Sequence, residues 1–190
     1  MNKSKFAALF VALAGLVAAL PAAAQSFYFG GMLGNSQMDP KGCQGAVLCD
    51  RRDDAWSGNV GFMFTRNWGL EAGYHHLGKV LETDDAMGNT TQAKTNAGDL
   101  VIVGALPFDK FSVYVKGGAF YARTRLTSSG FIPDATSNTK QWTYGAGFRY
   151  DLWRHLAIRA EYQLFKKVGG TEVGFRGDVQ TITGGLLIVF

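Results

Sequence analysis

The sequence predicts an all-β fold: an eight-stranded antiparallel up-and-down transmembrane β-barrel. Three observations lead there. Apolar residues recur with a period of two from residue 26 onward. Eight such segments are joined by connections that alternate strictly between short and long. The chain is also rich in residues that a helical core does not need, with 25 Gly, 14 Phe, 7 Tyr and 4 Trp among 190 residues. Its length suits a single domain. A content of 47% hydrophobic and 18% charged residues excludes wholesale disorder. A helical membrane protein would need ~20 consecutive apolar residues, and the only run approaching that lies at the extreme N-terminus.

That run reads as a cleavable export signal over residues 1–24, leaving 25–190 as the mature barrel. Lys3 and Lys5 supply the positive start, Phe6 to Leu20 the apolar stretch, and Ala22, Ala23 and Ala24 the small residues before cleavage. Its removal takes two lysines and no acid, so the formal charge of +4 falls to about +2. A nucleic-acid partner loses its main support with that change. Export also sets the redox setting. Cys43 and Cys49, the only cysteines, are expected to form one disulfide stapling a small loop. A metal site on these two thiols would lack further ligands nearby.

The eight segments are 26–36, 53–65, 68–79, 95–106, 111–126, 139–151, 156–167 and 176–190. In 156–165, Leu156, Ile158, Ala160, Tyr162 and Leu164 alternate with Ala157, Arg159, Glu161, Gln163 and Phe165. In 141–150, Trp142, Tyr144, Ala146, Phe148 and Tyr150 alternate with Gln141, Thr143, Gly145, Gly147 and Arg149. Such alternation gives strands with one apolar and one polar face. Connections near 66–67, 107–110 and 152–155 are tight; those at 37–52, 80–94, 127–138 and 168–175 are longer and polar. With eight strands, all long loops fall at one end and both termini at the other. That asymmetry belongs to outer-membrane barrels, with short periplasmic turns and longer outer loops.

A soluble lipocalin-like barrel has as many strands, but an apolar interior and a polar outside. Here the strand charges share a face with Gly, Thr and Gln, and the aromatic and aliphatic residues make the opposite face. Aromatics gather at strand ends: Phe27, Phe64, Trp68, Phe111, Tyr150, Trp153 and Phe190 toward the short turns, Trp56, Tyr74, Tyr121 and Trp142 toward the long loops. Two aromatic girdles flanking an aliphatic band are what membrane interfaces select. Mid-strand glycines such as Gly30, Gly34, Gly61, Gly118 and Gly185 fall on the inward face, where missing side chains relieve crowding.

Asp54-Ala55-Trp56, the run Phe64 to Tyr74 and Leu77-Gly78 resemble the OmpA-type eight-stranded outer-membrane barrel family. So do Tyr144 to Phe148 and Arg159 to Gln163. The closing residues Thr183, Gly185, Ile188 and Phe190 resemble the C-terminal signal read by the barrel assembly machinery, and that machinery is the partner the resemblance implies. The resemblance covers essentially the whole mature chain but only the barrel of the family's longer members. A peptidoglycan-binding domain is not expected, since the chain stops at Phe190.

Alternation places Glu71, Lys116, Arg149, Arg159 and Glu161 in the lumen, with Asp99 toward its outer end. These are expected to form an ion-pair network that plugs the tube, because isolated charges in so dry a space are costly. In the resembling family a charged cluster occupies these regions, and Glu71 and Arg159 match it. Met32 and Val103 stand where family members often carry lysine, which leaves the wiring open. A second group, Arg123, Arg125, Lys140, Lys166, Lys167 and Arg176, falls at the outer ends of the last four segments. It is placed to meet lipopolysaccharide phosphates, or alternatively to snorkel to the interface. The loops of the first four segments are acidic, with Asp39, Asp50, Asp53, Asp54, Glu82, Asp84 and Asp85. Phe131 and Ile132 in the third long loop could touch a partner.

No catalytic residue, cofactor or metal is expected. His75 should point inward and His76 outward, and His155 lies at a short turn; none makes the nucleophile–base pairing that hydrolysis needs. The function expected is a structural or surface-interaction role in the outer membrane. Its partners are membrane lipid, lipopolysaccharide and possible host or surface ligands of the loops. The alternatives are a narrow pore for small solutes and, behind it, a lipopolysaccharide-modifying enzyme.

Overall fold

A computed structural model describes residues 26–38, 48–50, 52–84, 90–128, 135–170 and 175–190. The expected leader and the loop-borne Phe131 and Ile132 lie outside these residues, as does Cys43, on which the expected disulfide with Cys49 rests. The strands are β1 (Ser26–Met38), β2 (Leu48–Asp50), β3 (Arg52–Met63), β4 (Trp68–Asp84), β5 (Thr90–Phe108), β6 (Phe111–Ser128), β7 (Ala135–Trp153), β8 (Leu156–Gly170) and β9 (Phe175–Val189). Each long strand pairs antiparallel with its chain neighbours, and β1 pairs with β9 from Tyr28↔Val189 to Met38↔Val179. The eight long strands therefore close into a barrel whose wall leaves no unpaired strand in the membrane.

β2 is the ninth, minor strand. It adds three residues against Glu82–Asp84 at the outer end of β4, inside what the sequence reads as a loop. The long strands also run further outward than expected: β4 reaches Asp84, β5 begins at Thr90 and β7 begins at Ala135. The cause is physical. Hydrophobic alternation marks only the height of wall that touches lipid, and above it the outward face is wetted and carries Lys, Asn and Thr while pairing continues. Asp53 and Asp54 belong to the expected segment 53–65 and not to a loop. Both sit within β3, and the Asp53 carboxylate accepts the Lys79 N–H at 2.6 Å. That contact sits at an irregularity in β4, where Gly78 takes φ 66°, a left-handed turn in which a Cβ would stand 2.6 Å from Asp53 Oδ2.

Short connections close the other end. The β5–β6 turn needs only Asp109 and Lys110, and Asp109 adopts φ 54°, which the short Asp side chain tolerates. At the β3–β4 turn, the Thr65 hydroxyl accepts the N–H groups of Asn67 and Trp68.

The outer wall is apolar where lipid lies. Leu33, Leu100, Ile102, Val115, Ile182 and Leu186 are exposed between two aromatic belts. Trp68, Phe111, Tyr150, Trp153 and Phe190 form the belt near the short turns, and Trp56, Tyr74, Tyr121 and Trp142 the outer one. Phe190 stacks on Phe29 with centroids 5.9 Å apart, and its N–H donates to the Phe27 carbonyl, so the chain end is fastened across the β1–β9 seam. A soluble protein could not show so much large apolar surface. Among the described residues no helix is long and apolar enough to cross a membrane; the crossing is made by strands.

Candidate functional site

The interior follows from strand parity, and β8 reads it out level by level. Ala157, Arg159, Glu161, Gln163 and Phe165 all point inward and are buried. From the short-turn end upward they mark an apolar collar, an ion cluster, a polar layer and a second apolar layer.

Glu71, Lys116, Arg159 and Glu161 converge from β4, β6 and β8 into one cluster, each buried. Glu71 accepts from four side chains: Tyr28 at 2.6 Å, Asn59 at 3.1 Å, Lys116 at 3.2 Å and Arg159 at 2.5 and 3.2 Å. Glu161 receives Lys116 Nζ at 2.7 Å, Tyr114 at 2.7 Å and a further bond from Arg159 Nη2. The Arg159 guanidinium lies 4.4 Å from the Tyr114 ring centroid, and its Nε donates to the Tyr114 hydroxyl. Two cations and two carboxylates balance, and every charged group is hydrogen-bonded, the condition under which buried charge is tolerable. Tyr28 and Tyr114 are members that the charge-based reading passes over; their inward parity is visible in the sequence. Removing one hydroxyl, in Tyr114→Phe, is expected to lower unfolding stability by ~1.5–3 kcal/mol, the worth of a hydrogen bond to a charged group. A urea titration of the folded barrel in lipid checks this.

Arg149 stands apart from the cluster. It is directly opposite Arg159 in the β7–β8 register, yet its side chain pairs with Asp151 at 2.6 Å rather than with the cluster. Both groups line a vestibule of about 470 Å³ open at the short-turn end, whose inner wall includes Tyr28, Tyr114 and Arg159. The wiring left open by the resemblance is thus Glu71–Arg159–Glu161–Lys116, with Arg149 bonded to its own strand's acid.

Above the ion cluster, Asp99 Oδ2 accepts from Gln163 Nε2 at 2.7 Å, and Gln163 also donates to the Thr143 hydroxyl at 2.9 Å. His75 Nε2 is 3.2 Å from Asp99 Oδ1, an ion-pair separation without hydrogen-bond alignment. His75 is capped by the edge of Phe165, with centroids 5.1 Å apart. Phe165 in turn meets Phe120 edge-on at 5.3 Å, and with Met38, Leu77, Leu126, Val168 and Val179 they fill the outer part of the tube. This apolar plug adds to the expected ion-pair plug, which the sequence reading built from charged residues alone. Leu77, Phe120 and Val179 hold inward parity in the sequence, but apolar residues in a membrane barrel are read as lipid-facing by default.

The basic groups predicted at the rim are spread along the outer wall. Arg123, Arg125 and Lys140 are exposed on β6 and β7. Lys94, just outside the expected segment 95–106, is directly opposite Arg125 and exposed with it. Lys166 is held by Asp178, and Lys167 takes φ 53° in an irregularity between Phe165 and Val168 that turns both lysines off the inward face. Arg176 is exposed opposite Gly169. Among the outward aromatics, His76 stacks on Trp56 at 5.7 Å and meets Asn96 at 2.6 Å. His155 contacts the Val189 carbonyl at 2.9 Å. Among the described residues, no group of three or more His, Cys, Asp or Glu could hold a metal.

The chain is similar to solved outer-membrane barrels. Neisserial surface protein A aligns with a TM-score of 0.66 at 11% identity, covering 86% of this chain and 97% of that one. OprG of Pseudomonas aeruginosa aligns at 0.63 and 17% identity, covering 88% and 96%. Ail, the attachment invasion locus protein of Yersinia pestis, was solved in complex with the heparin analogue sucrose octasulfate; it aligns at 0.54 and 18% identity, covering 87% and 97%. At such identities the likeness shows the fold alone. No curated protein sequence matches the chain. Residues 9–190 match the model of the outer membrane protein beta-barrel domain, and the chain belongs to that family, as a β-barrel of the bacterial outer membrane.

Proposed function

We propose that this barrel is sealed along its axis and works through its outer surface, where basic side chains engage phosphorylated or sulfated surface ligands, lipopolysaccharide first. The observation that carries the reading is the filled lumen: a neutral, fully hydrogen-bonded ion cluster lies beneath an apolar plug. A solute would have to break the first and wet the second. With the axis filled, a ligand is met from outside, and among the described residues Lys94, Arg123, Arg125 and Lys140 are exposed basic groups on neighbouring strands. They present an accessible positive patch above the outer aromatic belt. The complex of Ail with a polysulfated sugar is a parallel on a barrel of the same fold. The histidines give no support to hydrolysis, since His75 is enclosed between Asp99 and Phe165 and His76 is stacked on Trp56. The C-terminal Thr183, Gly185, Ile188 and Phe190 are read as the signal for barrel assembly.

Planar-bilayer recording tests the sealed axis: the wild-type barrel is expected to give no steady conductance, and unitary steps in the purified protein would overturn the reading in favour of the pore. The surface role is tested separately. Substituting Arg123, Arg125 and Lys140 together by alanine is expected to weaken lipopolysaccharide retention about tenfold at low salt. The wild-type retention should fall as salt rises, as exposed charge pairing does.

A further inference from the structure

The inward glycines are explained by packing: a Cβ on Gly118 would stand 2.7 Å from Val101 Cα, and on Gly34 2.7 Å from Thr183 Cα. The outward glycines Gly31, Gly58, Gly98, Gly117 and Gly184 are not, and two of these, Gly98 and Gly117, lie at or next to one groove in the wall. A Cβ on Gly98 would meet only the Gly73 carbonyl at 3.8 Å, and one on Gly117 only the Thr143 carbonyl at 3.9 Å, both ordinary contacts. Neither has a left-handed φ. Nor does an aromatic ring lie over them, as Trp68 lies 3.1 Å from the Cβ position of Gly104. Folding makes no demand for glycine at these two places; what they do is lower the outer wall. Gly98 lines a groove of about 680 Å³, with Ala119 beside it as the floor, Leu100 and Trp142 as the sides, and Tyr121 and Lys140 at the outer end. The register continues the floor to Gly117, between Ile102 on β5 and Tyr144 on β7. From Gly117 to Tyr121 the channel runs ~13 Å at 3.3 Å per residue.

We propose that this groove is a lipid subsite that takes one acyl chain of the lipid A part of lipopolysaccharide, with a phosphate of the same molecule on Lys140 and Arg123. It rests on the reading that the basic outer wall engages lipopolysaccharide, and it says where and by which part. Lys140 is directly across from Tyr121 at the mouth, and Arg123 is its diagonal neighbour, paired with Asn138. The Tyr121 hydroxyl donates to Asn138 Oδ1 at 2.9 Å, which ties the ring away from the channel's entrance. All lipid tails are equally apolar, so a groove in a membrane wall gains contact area without selectivity. Selection comes from the paired cations at its end. A second groove of about 690 Å³ near the short turns, between Trp68, Leu106 and Val113, shows the contrast: no basic side chain lines it. Asp99, the carboxylate among the residues lining the first groove, has a buried side chain turned into the lumen toward Gln163 and offers the phosphate no repulsion at contact.

The test uses the full barrel in phosphatidylcholine nanodiscs, with bound lipid counted by mass spectrometry. The probes are diphosphoryl lipid A, the same lipid with its phosphates removed, and the phosphorylated core saccharide without its acyl chains. The wild type should retain diphosphoryl lipid A, with at least fivefold weaker retention of either stripped probe. Gly98→Leu with Gly117→Leu, which fills the channel from outside, and Lys140→Ala should each weaken lipid A at least fivefold. Heat-modifiable migration of all variants should match the wild type, which separates lost binding from lost folding. Wild-type retention by the leucine pair would overturn the groove. If the Arg123, Arg125 and Lys140 alanine variant still loses lipopolysaccharide, the broader surface reading survives that failure. Equal binding of the core saccharide and lipid A would likewise overturn the acyl subsite and leave the basic wall standing.

Discussion

Replacing Glu71 with alanine is expected to cost ~3–5 kcal/mol of unfolding free energy, the penalty for stranding a buried charge. Glu71 is fully buried and takes hydrogen bonds from Tyr28, Asn59, Lys116 and Arg159. Without it, Lys116 and Arg159 share Glu161 alone, and the cluster carries an uncompensated positive charge. The loss is electrostatic more than volumetric, so it should be partly reversible by a second change. Lys116→Met removes one cation with little change in bulk and restores neutrality around the Arg159–Glu161 pair. The double variant Glu71→Ala with Lys116→Met is therefore expected to recover ~1–2 kcal/mol relative to the single one, a coupling within the range for contacting residues. Equilibrium unfolding in urea, with the barrel in lipid vesicles, measures both. A single variant within ~1 kcal/mol of wild type would mean that water reaches the cluster, and with it would go the sealed axis.

The same residues show how far the sequence alone reaches. Strand number, topology and the facing of nearly every charged residue follow from alternation, because a side-chain period of two leaves a barrel only two places to put a residue. Glu71, Lys116, Arg159 and Glu161 are assigned to the lumen for that reason, and the pairing among them is a matter of height along the tube. Height depends on stagger between strands, which alternation does not encode. Arg149 shows a second limit. It has the right face and stands across from Arg159, but a like charge offers it no partner there, and it pairs with Asp151, two residues away on β7. The apolar plug is missed for a different cause: Phe165 and Val179 obey inward parity, but hydrophobicity in a membrane barrel carries opposite meanings above and below the outer belt. The belt itself explains why β5 and β7 extend past their expected starts and why Lys94 is overlooked. Gly98 and Gly117 are legible as outward glycines, yet only the three-dimensional register shows that they share one channel.

Gly185 and Gly184 offer the other large effect, and a comparison between neighbours in the chain. Gly185 faces the lumen on β9, paired with Met32. A Cβ there would stand 2.6 Å from Met32 Cα and closer still to the Gly31 carbonyl, both backbone atoms of β1 that cannot swing aside. The β1–β9 seam is where the barrel closes, so the cost falls on the ladder that joins the two ends of the sheet. Gly185→Val is expected to destabilise by at least ~3 kcal/mol, the upper end of overpacking costs, and to yield mainly unfolded chain. Gly184, one residue back, faces lipid, and a Cβ there would meet only the Arg159 carbonyl at 3.8 Å. Gly184→Val should fold as well as wild type or slightly better, since a β-branched residue suits an exposed strand face and restricts the unfolded chain. Heat-modifiable gel migration after refolding into detergent, a system without assembly machinery, reads both directly. It also separates steric closure from the expected role of Gly185 in the C-terminal assembly signal. If Gly185→Val folds normally in detergent but fails only in cells, recognition is the residue's task; if it fails in both, the missing side chain is what lets the barrel close.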